Sequence, residues 1–143
     1  MPPVTRWFLR SAVLYLVASL WAGILVVVPR VMPHAPRLLS ALGPTYVHAF
    51  MVGWVTQMIF GVAFWMFPKA ERARPRGNER LVWISFWLLN AGLFLRVVAE
   101  PLNAMAPGAL WGWLLVPSAL FQWAAGLAFA GNLWGRIKGK MAP

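Results

Sequence analysis

Two histidines, three carboxylates and one isolated arginine carry most of the chemistry open to this chain. His48 stands near the start of the apolar run YVHAFMVGWVTQMIFGVAFWMFPK, residues 46–69, where an imidazole inserts at greater cost than leucine or valine. An ionisable group inside such a run is a functional-site hypothesis by default, and a neutral imidazole with a free ring nitrogen is a metal ligand. A hydrogen bond to a neighbouring helix, or an anchor among lipid head groups, would also account for it. Arg96 is the basic residue inside another apolar run, one helical turn before Glu100. An intrahelical ion pair, snorkelling to the head groups and charge-assisted binding of an anionic group all remain open to it. His34, between Pro33 and Ala35-Pro36, reads as a solvated loop residue, and Met51 and Met58 read as packing. Cysteine is absent, which excludes disulfides, thiolate metal sites, iron–sulfur ligation and c-type haem attachment. No Ser/His/Asp set, phosphate loop or carboxylate pair supports a hydrolase or nucleotide-binding reading.

The elements that must position these residues are apolar and long. Of 143 residues 61% are hydrophobic and 11% charged, where soluble domains average about half apolar and a quarter charged. Four runs, at about 7–28, 46–67, 81–98 and 110–133, each approach the roughly 20 residues a helix needs to cross hydrocarbon. The expectation is an all-α, integral membrane four-helix bundle forming a single transmembrane domain over 1–143. The first run is too long for a signal-peptide core and lacks a small-residue cleavage site.

The net charge of +10 could suggest nucleic acid, but no basic stripe interleaves with aromatics. Lys and Arg fall instead between runs: two in the N-terminal tail, five at 68–80 and three in the C-terminal tail, against two at 29–45 and none at 99–109. Ten against two places both termini inside, in a cytoplasmic (inner) membrane, with lipid as the surrounding partner. Trp7, Trp65, Trp83 and Trp134 then lie near the inner interface and Trp111 and Trp113 near the outer one. Prolines in the two outer loops suit helix stops, which leaves all three carboxylates at helix ends or in a loop and gives proton pumping no support.

In the second run, His48 shares a helical face with Val52, Val55, Thr56 and Ile59, while Ala49, Gly53, Gln57 and Gly61 form an adjacent row at four-residue steps. Small residues in a row admit the close approach of another backbone or of a flat ligand. Gln122 and Asn90 are polar residues available for bonds across helices, and Pro117 should kink the fourth run or mark an opening.

The stretch HAFMVGWVTQMIFGVAFWMFP, residues 48–68, resembles the second-helix motif of short proteins related to subunit I of the haem–copper oxidases. LFLRVVAEP, residues 93–101, resembles their third helix. The resemblance implies haem b (protohaem IX) ligated axially by His48 toward the outer face. It further implies Gly53 and Trp54 beside the macrocycle and Arg96 on a propionate, with Arg30 and Arg37 as second candidates. Such a protein would bind a diatomic gas (NO, CO or O2) or transfer electrons, through a five-coordinate haem or one shared in a homodimer. With only His34 and His48 present, the histidines of an oxidase active site are missing, and oxidase catalysis is not implied. The alternative is a haem-free bundle that acts as an accessory or assembly partner of a respiratory complex.

Overall fold

Four long helices dominate the chain, as the four apolar runs require. The computed structural model describes residues 1–67 and 76–137. Pro68, which ends the second-helix motif, the loop residues Lys69, Glu71, Arg72 and Arg74, and the tail residues Lys138 and Lys140 lie outside the described residues.

Helix α1 spans Pro3–Val31. Proline suits its first turn, where the missing N–H would have had no helical partner. Two short helices follow, α2 at Arg37–Ala41 and α3 at Gly43–His48. A π-helical stretch, Ala49–Thr56, continues α3 into α4, Gln57–Met66, so that one unbroken span runs Gly43–Met66. Phe67 ends it in extended geometry at ψ 149°. The next residue in sequence is proline, whose ring disfavours the α region for the residue before it.

Helix α5, Glu79–Met105, begins at Asn78, whose side chain accepts from the Arg80 backbone N–H at 3.1 Å. Gly77 turns the chain into it at φ 71°, a conformation that a side chain would strain. Helix α6 occupies Ala109–Trp134 and contains Pro117.

Prolines stop less than the sequence reading expects. Pro101 lies inside α5, which continues to Met105 instead of ending near 98. Proline already holds a helical φ, so its penalty is one lost bond and a clash with the preceding turn. Burial of Ala99 and Pro101 offsets that penalty. All four spans are long and apolar enough to cross a membrane.

α1 packs along the π-helical stretch and α4, and α5 packs along α6. Lipid is as apolar as leucine, so close packing and interhelical hydrogen bonds hold such helices together more than burial does. A Cβ at Gly53 would lie 2.6 Å from Tyr15 Cγ, and one at Gly92 would lie 2.8 Å from the Ser118 carbonyl oxygen. Both helix pairs therefore approach at glycine.

Aromatic side chains fill the space between the pairs: Phe60 stacks on Phe129 at 3.9 Å, and Phe8 meets Phe86 edge-on at 5.1 Å. Val4, Phe64, Val82, Leu89 and Ala125 complete this core. Polar side chains bridge elements as well. Ser85 donates to the Ala125 carbonyl at 2.8 Å, and Gln57 and Asn90 exchange two amide bonds at 3.3 and 3.2 Å.

At the end nearer the termini, Arg136 donates to the carbonyls of Phe64 and Phe67 at 3.0 and 2.6 Å, satisfying oxygens that the end of α4 leaves without helical donors. Burial first, and then the charge of Arg76, hold its guanidinium below the ordinary arginine value.

Candidate functional site

His48 is the last residue of α3, and the π-helical stretch begins at the next residue. Bonds in that stretch reach five residues back, and the Thr56 hydroxyl follows them by donating to the Met51 carbonyl at 2.9 Å. A wider turn brings a four-residue step close to one full revolution. Ala49, Gly53, Gln57 and Gly61 accordingly form a single buried row. His48, with 30% of its side chain exposed, lies at the edge of that row and meets α5.

The imidazole is held from both sides. Its Nδ1 lies 3.0 Å from the Pro44 carbonyl oxygen and 3.1 Å from Glu100 Oε1. Its Nε2 lies 3.2 Å from Arg96 Nη1. A guanidinium only donates, so Nε2 accepts, and the ring proton sits on Nδ1, where it is donated to Pro44. Arg96 Nη1 also donates to Glu100 Oε1 at 3.2 Å, and its Nε donates to the Ser118 hydroxyl at 3.2 Å. The Ser118 hydroxyl in turn donates to the Gly92 carbonyl at 2.7 Å. Glu100 Oε2 is buried without a hydrogen-bond partner among the described residues.

One expectation is corrected here. Because α5 continues through Pro101, Glu100 lies inside a candidate span with its side chain only 10% exposed, and not at a helix end. The Arg96–Glu100 pair one turn apart is present, but the carboxylate serves His48 as well. Gln122 does not bridge helices either; it bonds to Ser118 within α6 at 3.2 Å.

Of the residues expected around a ligand, His48 and Arg96 are brought together. Gly53 packs on Tyr15 of α1. Trp54 meets Phe50 edge-on at 4.7 Å, and Phe50 in turn meets Tyr46, giving an aromatic ladder at four-residue steps. His34 is exposed, as is Met51. Ser118 and the Pro44 carbonyl were not anticipated. A hydroxyl within an apolar run was the available signal for Ser118, and a backbone acceptor leaves none.

Comparison with known protein families, curated proteins and solved structures finds no match for the chain.

The described residues gather no group of three or more His, Asp or Glu able to hold a metal ion, so the site offers one imidazole and not a chelate. For a haem, the donor chemistry fits. Nε2 carries the lone pair, and Nδ1–H is held by a carbonyl beside a carboxylate, the arrangement that orients a ligating histidine and raises its basicity. Ligation would require Arg96 Nη1, which also donates to Glu100 Oε1, to leave Nε2.

Proposed function

We propose that this chain is a multi-pass protein of the cytoplasmic membrane, with both termini inside, that holds haem b through Nε2 of His48 near the outer face. The supporting observation is the pair of acceptors, the Pro44 carbonyl and Glu100 Oε1, that lie at Nδ1. With the Nδ1 proton committed to Pro44 and close to Glu100, Nε2 is left as the nitrogen able to ligate. The resemblance of residues 48–68 to the second helix of haem–copper oxidase subunit I argues for the same histidine. The distribution of Lys and Arg argues for the sidedness.

Each neighbour then has a part. Pro44 and Glu100 fix the ring. Arg96, once off Nε2, is the cation for a propionate, and Glu100 keeps it charge-balanced. A haem bound here would supply an iron centre that takes up a diatomic gas or exchanges an electron. His48 would be the imidazole that each chain contributes to the haem, alone or together with that of a second copy in a symmetric dimer.

A second reading has its own observation. Arg96 already meets Nε2 at 3.2 Å, and Tyr15 already fills the approach to Gly53, so both positions expected to face a macrocycle have protein partners. This is the haem-free accessory partner of a respiratory complex.

Absorption spectra of the detergent-purified protein, expressed with ample haem supply, separate the two. Wild type is compared with His48→Ala in oxidised, dithionite-reduced and CO-treated forms. A Soret band lost with His48 and shifted by CO is the outcome for an open haem, and a CO-insensitive band is the outcome for two axial ligands. A colourless wild type leaves the haem-free reading.

A further inference from the structure

An apolar groove of about 700 Å³ runs beside the half of α1 that lies away from both termini. Leu20, Ile24, Val27 and Val31 line it at helical spacing, and all four are exposed. Tyr46, whose ring rests against Gly23, and Arg30 also line it. Tyr46 Cε2 stands 3.1 Å from where a Gly23 Cβ would be, so position 23 admits the close approach of the ring because it carries no side chain.

Two features define what fits. The first is length. From residue 20 to residue 31 a helix advances about 16 Å, which is near half of a hydrocarbon core of about 30 Å. A partner transmembrane helix would need small residues to approach closely, whereas this wall, one leaflet long, is built mainly of large and branched side chains. The second is charge. Arg30, exposed in the last turn of α1, stands at the head-group end of the wall, and guanidinium matches the oxygens of a phosphate.

We propose that the groove holds one anionic phospholipid of the leaflet opposite the termini, its acyl chain along Leu20 to Val31 and its phosphate on Arg30. The site rests on the chain spanning a bilayer and is independent of haem.

The test is native mass spectrometry of the full-length, detergent-solubilised protein titrated with phosphatidylglycerol or phosphatidylcholine of equal chain length. Wild type should retain phosphatidylglycerol about fivefold better, the factor that one basic residue near a membrane surface supplies. Arg30→Gln should bring the two lipids to parity, while Arg10→Gln, at the opposite end of α1, should leave the preference intact. Gly23→Leu should lower retention of both lipids. Equal retention by wild type, or a preference unchanged in Arg30→Gln, overturns the site. So does a dimer that Gly23→Leu dissolves, because a second copy would then cover the groove. Release of the chain from membranes by alkaline carbonate would overturn the membrane-spanning reading instead.

Discussion

Glu100 is the residue on which the polar cluster turns. A single oxygen, Oε1, lies 3.1 Å from His48 Nδ1 and 3.2 Å from Arg96 Nη1, in surroundings that leave 10% of the carboxylate side chain exposed. Removing one member of a buried ion pair strands the other charge, which typically costs about 3–5 kcal/mol, whereas replacing both with apolar groups is often neutral. Glu100→Ala should therefore lower the melting temperature in detergent sharply, and Arg96→Met combined with Glu100→Leu should recover most of the loss. Additive effects in this double-mutant cycle would mean that the two side chains act independently. Ser118 makes a milder contrast. It bonds to Gly92 and receives Arg96 Nε, but both partners keep other contacts, so Ser118→Ala should cost less than Glu100→Ala in the same melt.

Among the elements, α5 and α6 pack most extensively, and Gly92 admits the Ser118 backbone. A methyl group there would meet a backbone oxygen at 2.8 Å, while Gly126 on α6 has nothing within 4 Å of its added Cβ. Gly92→Ala should destabilise the protein, and Gly126→Ala should be neutral or slightly stabilising, since alanine is the better helix former by about 1 kcal/mol. Equal melting temperatures for the two variants would contradict this packing.

The same elements mark where sequence was informative. The four spans were legible because each is a run of apolar residues of membrane length, a property carried locally. The row Ala49, Gly53, Gln57, Gly61 was legible as a packing face, although its straightness comes from the π-helical stretch. No residue pattern announces that stretch, because a one-residue change in hydrogen-bond register is decided by the neighbouring helix. The end of α5 was misread because a proline's effect depends on whether its ring finds a packed site, as Pro101 does. His48 and Arg96 were legible one at a time as polar residues in apolar runs. Their meeting was not, because it depends on how the second span and α5 pack.

At the scale of the whole molecule, the two ends differ in character. The end nearer the termini is closed by phenylalanines and by Arg136 on the carbonyls of α4, while the far end carries the His48 cluster and the lipid-facing groove. The distribution of basic residues argues for the end nearer the termini as the cytoplasmic one, a proposal that the lack of native cysteine makes easy to check. In intact spheroplasts, a membrane-impermeant maleimide should label His34→Cys, whereas Lys138→Cys should react only after lysis. The reverse pattern would invert the topology and move the histidine cluster to the inner face.

The π-helical stretch beside His48 has a consequence for how this chain tolerates change in length. A helix whose bonds skip back five residues carries one residue more per turn than its surroundings, in effect a spare. Deleting Met51, half exposed on the outside of the bundle, would let the turn close as ordinary α-helix while the ends kept their phase. His48 would still face Glu100 and Phe64 would still face the core. The same deletion in the middle of α6 has no slack to draw on and would rotate everything beyond it by about 100°. Among the described helices, the second span is thus the one that can lose a residue and keep its shape.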